Sequence, residues 1–321
     1  MRRVLVTGMG GHLGTRVSQL LEQRADVAEI AGFDVAPPRR RLRRATFKLF
    51  RAGDGERMRG FVREFAPTDV VHFGVHEPGE RVGARDAGLG DADALDVLMA
   101  AVGSGALERV VLRSGIEIYG RGRRHPKFPA EDAPLAPTTP YGRTLLAVEE
   151  AAARIGAELD VAVCALRLAP VAASHTPSPV ARVLRLPVVP VPALADPSFQ
   201  LLHTDDAARA AVHALDREID GPVNVVGAGV TSPWQAARRG GRIPIPVWGP
   251  GWAAAAAAAA TAGAPAPPQV LELLRWGRCA DGGRATEVLG LPVVKATLEV
   301  LADLHEWASV TPIRTAVEKV A

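Results

Sequence analysis

The stretch "VTGMGGHLG", Val6 to Gly14, joins an apolar run to an amphipathic one and decides how the chain is read. "RVLVTG" (3–8) has the branched, apolar character of a buried strand. From His12 to Arg24, Leu13, Val17, Leu20 and Leu21 recur on one helical face. The strict spacing G-x-G-x-x-G fails, because Leu13 stands at its last position, and the spacing present is Gly8-x-x-Gly11-x-x-Gly14. The physical requirements still transfer. Gly8 permits the tight turn, Gly11 lets the backbone approach a pyrophosphate, and Gly14 lets the helix pack closely on the strand. Free N–H groups and a partial positive charge at the helix start then face the phosphates.

Twenty residues after Gly14, a second strand "VAEIAGFD" (27–34) ends in Asp34. A carboxylate there is placed to accept hydrogen bonds from the adenosine ribose, and it repels a 2′-phosphate, which favours NAD over NADP. The arginines beginning at Arg39 pull the other way.

Outward from this unit the chain alternates. Strands are expected at "ATFKLF" (45–50), "TDVVHFGV" (68–75), "LERVVLRS" (107–114) and "DVAVCALRL" (160–168), with helices over 56–66, 90–102 and 141–156. Continuous apolar strands separated by helices describe a parallel sheet covered on both faces, a doubly wound α/β (Rossmann) fold. After residue 168 prolines crowd in and the rhythm loosens. A helix over 204–217, capped by Thr204 or Asp205, and a strand "PVNVVG" (222–227) remain legible. Residues 1–167 are therefore read as a dinucleotide-binding domain. Residues 168–321 are read as a smaller C-terminal α/β substrate lobe, with the 222–227 strand interleaved into the sheet.

Composition narrows the class. Of 321 residues 48% are hydrophobic and 23% charged, ordinary for a globular core. The net charge of +3 comes mostly from dispersed arginines. The dense run Arg39 to Arg44 lacks interleaved aromatic residues, which favours a solvated loop over nucleic-acid binding. Cys164 and Cys279 lie far apart without metal-ligand spacing, so neither a disulfide framework nor a metal is expected. "MRRVLVTG" carries no secretory pattern, and Trp252 to Ala260 is too short to span a bilayer and reads as an alanine helix. A cytoplasmic protein without membrane contact is expected.

Taken in order, "VTGMGGHLG", Asp34, Gly53–Asp54, "VVHFGV" (70–75), "RVVLRSGIEIYG" (109–120), "PYGRTLLAVEE" (140–150), "LRLAP" (166–170), "LLHTDDAARA" (201–210) and "VNVVGAG" (223–229) carry a resemblance. The chain resembles the extended short-chain dehydrogenase/reductases, the NAD-dependent epimerase/dehydratase group that includes UDP-glucose 4-epimerases. The resemblance implies NAD held by Gly8, Gly11, His12, Leu13, Gly14 and Asp34. Asp54 and Gly55 would lie along the adenine, and Phe73, Gly74 and Val75 would line the cofactor. It also implies a nucleotide-sugar or similar polyol as substrate, and a homodimer built on helices 90–102 and 141–156.

The family's chemistry uses a tyrosine, a lysine four residues later, and a serine or threonine four residues before the "VYG"-type tyrosine. These map onto Tyr141, Leu145 and, counting from Tyr119, Gly115. Ser114 is adjacent, but strand alternation turns it to the opposite face unless the chain bulges. A tyrosine near pKa 10 is phenolate in about one molecule in a thousand at pH 7; losing the lysine removes roughly 4 kcal/mol of help. Arg143 lies about 200° round the helix and does not replace it; Arg113 and Arg121 are remoter cations. An Asp–Glu pair of related dehydratases reads Ile116–Glu117 here, leaving Glu117 as a base or as an exposed loop residue. Pro170 stands where the family has an asparagine, and "GDADA" (90–94) replaces the usual Asn-Val-x-Gly-Thr pattern. His72, His76 and His203 read as structural. The candidate catalytic set is Tyr141, Ser114 and Glu117. Three readings stay open: an enzyme using Tyr141 with altered partners, a catalytically impaired NAD-binding sensor or partner subunit, and a reductase of a non-sugar carbonyl.

Overall fold

Apolar strands buried on both faces need helices on both sides, and the computed structural model has that form. It describes residues 1–51, 53–79, 92–103, 106–121, 126–176, 178–291 and 294–306. The first half runs β1 (Arg2–Thr7), α1 (His12–Leu21), β2 (Val27–Asp34), β3 (Thr46–Leu49), α2 (Gly55–Phe65), β4 (Asp69–His72), α3 (Ala92–Val102) and β5 (Arg109–Gly115). A single 3₁₀ turn, Ile116–Tyr119, then leads to α4 (Pro140–Leu159) and β6 (Ala162–Leu168). Of the helix expected over 90–102, the first two residues lie outside the described ones, as do Pro177 and the end of the lobe, 307–321.

The second half runs β7 (Val171–Ala172), α5 (Pro179–Leu184), β8 (Val188–Pro192), β9 (Leu202–His203), α6 (Thr204–Leu215), β10 (Gly221–Val225) and α7 (Pro233–Arg239). It closes with β11 (Ile243–Val247), α8 (Gly251–Thr261), α9 (Pro268–Trp276), α10 (Gly283–Leu289) and α11 (Thr297–Glu306). Seven strands form one parallel sheet in the order β10-β6-β5-β4-β1-β2-β3. Strand order reverses between β1 and β4, and ligands of such sheets bind at the carboxyl ends of the strands beside that point. α1 packs against α6, and α2, α3 and α4 pack in series; right-handed crossovers put the two groups on opposite faces.

Three local readings change. The fourth strand stops at His72 rather than Val75, because Phe73–Val75 leaves the ladder to cross the glycine loop. The cap of α6 is His203, whose Nδ1 accepts from the Asp205 amide at 3.2 Å, so Thr204 and Asp205 are already helical. β8 and β11, which pair in parallel as a separate two-stranded sheet, have proline at alternate positions (Pro190, Pro192, Pro244, Pro246), and proline argues against a strand in sequence. The expected alanine helix is α8, and among the described residues no helix is long and apolar enough to cross a membrane.

A second buried cluster, including Phe199, Leu201, Trp252, Leu273 and Leu301, lies apart from the core around the main sheet. A buried polar network ties the far side of the sheet to the elements around it. Arg167 of β6 donates to both carboxylate oxygens of Glu149 on α4, to the Tyr119 hydroxyl at 2.9 Å and to the Glu131 carbonyl. Tyr119 donates onward to Asn224 of β10 at 2.7 Å. Burial raises the Tyr119 pKa, against the pull of Arg167, so its hydroxyl stays protonated as a donor. Removing one partner of a buried pair leaves a charge uncompensated. Arg167→Met should therefore cost about 3–5 kcal/mol, read as a lower urea midpoint.

Candidate cofactor and active site

At the end of β1 the backbone of Gly8 takes φ +69°, and an added Cβ would lie 2.4 Å from the Phe73 carbonyl oxygen. At Gly14 a Cβ would lie 2.0 Å from the Gly8 oxygen, so helix and turn touch backbone to backbone. Gly10, outside the spacing read from sequence, is as constrained: its Cβ would sit 1.9 Å from the Ala36 oxygen. Gly11 is looser, with the Gly8 oxygen at 3.3 Å.

Asp34 closes this loop from the next strand. Its Oδ2 accepts from the Gly11 amide at 3.0 Å and its Oδ1 from the Val35 amide at 2.6 Å, with His76 Nε2 at 3.8 Å. Burial pushes its carboxyl above the usual carboxylate range, opposed by His76 and by the amides of Val35, Gly11 and Gly10. α1 has no side-chain cap at Gly11, which leaves the first-turn amides of His12, Leu13 and Gly14 without intrahelical acceptors. That is the donor set a diphosphate requires.

The cavity along the loop is narrow, about 40 Å³, and Phe73, Val75, His76, Glu77 and Arg113 share it with the loop residues. Arg113 lies 3.6 Å from Glu77 and donates to the Val75 carbonyl, so this pair stands over the β5 end of the groove. Asp54 lies at the start of α2, with its carboxylate accepting from the Arg51 amide at 2.9 Å and paired with Arg57; those contacts, the Arg51 amide first, hold its pKa low. Gly55 opens the helix beside it, and Gly74 passes close to Thr7.

The catalytic positions form a second group. Thr139 caps α4, Pro140 occupies its first turn, and Tyr141 follows, buried. Gly142 lets the helix seat on the 3₁₀ turn, since a Cβ there would lie 2.9 Å from the Glu117 carbonyl oxygen. Glu117 is not an exposed loop residue: it is 6% exposed, with Arg278 Nη1 3.5 Å from its Oε1. Its Oε2 occupies the space a side chain at 115 would need, 2.3 Å from a Cβ built there, and Leu145 Cδ1 closes the other side at 3.0 Å. Glycine, glutamate and leucine thus pack together at positions 115, 117 and 145.

Ser114 is buried, and its hydroxyl has no hydrogen-bond partner among the described residues. The β5–β6 ladder runs unbroken from Arg109 to Gly115, so no bulge brings Ser114 round to the face of position 115. Arg121 does not reach across as a substitute cation; it pairs with Glu272 and lies over the Trp276 ring. Arg278, which also pairs with Glu272, is the residue that sequence reasoning missed. It sits among small, irregular segments where no motif flags it.

Residues 4–227 match the model of the NAD dependent epimerase/dehydratase family. The chain belongs to that family. NAD is accordingly its cofactor. Two uncharacterized mycobacterial proteins, Rv0501 of Mycobacterium tuberculosis and Mb0513 of Mycobacterium bovis, are each 29% identical over 97% of this chain and 85% of their own length. Among solved structures, the UDP-glucuronic acid 4-epimerase of Bacillus cereus, in complex with UDP-glucuronic acid and NAD, superposes with a TM-score of 0.73 at 16% identity, covering 95% of this chain and 98% of that one. The enzyme WbmH of Bordetella bronchiseptica, in complex with NAD+, gives 0.73 at 17% identity over 96% and 98%. The UDP-glucose 4-epimerase of Brucella ovis, in complex with NAD, gives 0.71 at 20% over 94% and 96%. At these identities the likeness is one of fold.

Asp34→Ala removes a carboxylate from the glycine loop and unties Gly11. A charge-assisted hydrogen bond contributes about 1.5–3 kcal/mol, so calorimetry should show NAD binding weakened by roughly one to two orders of magnitude.

Proposed function

We propose that this family member binds NAD and carries out epimerase- or dehydratase-type chemistry on a nucleotide-linked sugar or a similar polyol. The observation that carries the reading is the seating of α4, which carries Tyr141 in its first turn, on the 3₁₀ turn that carries Glu117, at the carboxyl end of the sheet that holds the glycine loop. The cofactor supplies hydride acceptance and return. In this reading Gly8, Gly11, His12, Leu13 and Gly14 hold its diphosphate and Asp34 its ribose; Asp54 and Gly55 border the adenine, and Phe73, Gly74 and Val75 form the wall. Tyr141 exchanges a proton with the substrate hydroxyl. Glu117, with Arg278 Nη1 3.5 Å from its Oε1, accepts a proton or a hydroxyl hydrogen bond where the family has a serine. Its orientation relies on Arg278, which Glu272 holds in turn. Ser114 takes no part in this assignment.

The test is turnover of a panel of UDP- and dTDP-sugars by purified protein with NAD, followed by absorbance at the reduced-nicotinamide band and by product chromatography. Tyr141→Phe should lower turnover by about 10²–10⁴-fold, as loss of a general acid–base does, with NAD affinity little changed. Unchanged turnover in that variant would remove the tyrosine from the mechanism.

The closed packing of Gly115, Leu145 and Glu117 favours a second reading, an NAD-binding sensor or partner subunit with impaired chemistry. Under it, the wild type holds NAD and turns over nothing. Gly115→Ser with Leu145→Lys makes the Glu117 carboxylate turn away from the added Cβ and buries an ammonium in place of Leu145, so the double variant should have a lower thermal midpoint than the wild type. A gain in turnover in that variant would favour the second reading.

A further inference from the structure

A cleft of about 630 Å³ opens beside the glycine loop, between α1, the loop after β2, the loop after β7 and the start of α6. It is separate from the narrow cofactor groove, which it meets only at His12 and Thr176. Its size falls within the several-hundred-Å³ range of small-molecule sites.

Charge in the cleft is unbalanced. Its two carboxylates are already engaged: Asp205 pairs with Arg16 at 2.6 Å, and Asp303 lies 3.3 Å from His203 and accepts from the Ser174 amide. Arg39, Arg40 and Lys295 remain. Among the described residues no carboxylate pairs with any of them, whereas Arg113 in the neighbouring groove lies 3.6 Å from Glu77. The Lys295 ammonium lies 3.3 Å from the ring nitrogen of His203. His12 registers the resulting field: burial first, then Arg39, Arg40 and His175, lower its pKa to about 4.

The two free arginines do not belong to a loose loop. The Arg39 amide donates to Thr15 Oγ1 at 3.1 Å, and the amides of Arg43, Arg44 and Ala45 all converge on Glu22 Oε1. The backbone is thus stitched to α1 at both ends while the guanidiniums at 39 and 40 stay unpaired at the cleft, as a preorganised anion receptor requires.

We propose that this cleft is a second anion site, taking a small phosphorylated molecule with at least two negative charges alongside, and not in place of, the dinucleotide. The assignment goes beyond the proposed reaction and holds whether or not the protein turns over. Inorganic triphosphate is the probe, titrated calorimetrically into protein with and without saturating NAD.

Saturable one-to-one binding is expected in both states, weakened at least about tenfold by Arg39→Ala with Arg40→Ala and falling steeply with salt. NAD affinity should change less than about threefold in that double variant, which also shows that it is folded. Three results overturn the proposal. One is no saturable binding in either state. Another is triphosphate displaced by NAD, which would put the anion on the loop amides. The third is a preference for NADP over NAD that vanishes with the two arginines, which would make the cleft the seat of a 2′-phosphate. If NAD itself does not bind, the cofactor reading fails, and the arginine variants alone decide the cleft.

Discussion

The carboxylate of Asp34 is the contact on which the cofactor end of the molecule depends. By accepting from the amide of Gly11, and from that of Val35 beside it, it fixes the turn after β1 to the end of β2, next to the point between β1 and β4 where the sheet reverses. The loop is then held from outside by a side chain and from inside by contact too close for any Cβ at Gly8, Gly10 or Gly14. The first-turn amides of α1 are left facing the groove because Gly11, the residue that caps the helix, has no side chain to use them.

At the other end of the groove a glycine at 115 leaves no void. Here Glu117 swings into the space above Gly115 and Leu145 closes it. A glutamate so buried needs a counter-charge, and Arg278 supplies one from the second half of the chain. Gly115, Glu117 and Leu145 are therefore one packing solution, and each is intelligible only with the other two.

How much of this the sequence disclosed follows from how local each cause is. The seven main strands and their helices are legible because branched residues and periodicity act within a few positions. The glycine spacing with Asp34 is legible because a turn and a strand end fix both. Gly10 escaped because its constraint is the carbonyl of Ala36, a neighbour in space alone. Arg278 escaped for the same reason, its partners being Glu117 and Glu272 across the site. The environment of Glu117 stood undecided between exposure and function, since a 3₁₀ turn has too few residues to show a buried face. β8 and β11 escaped because alternating proline argues against a strand wherever a central position is assumed.

Those prolines have a consequence of their own. Ile243 donates to the Pro187 carbonyl and Ala193 to that of Val247, so odd-numbered residues of both strands point their N–H groups at each other. With a two-residue period, the even-numbered ones turn away, and four of those, Pro190, Pro192, Pro244 and Pro246, have no hydrogen to offer. Of the outward positions in the two strands Val188 alone keeps an N–H, so both flanks are poor partners for a further strand, although Ile243 and Ile245 stand in water beside them. A backbone with so few donors to offer works against polymerisation through the edges that those apolar side chains would otherwise invite.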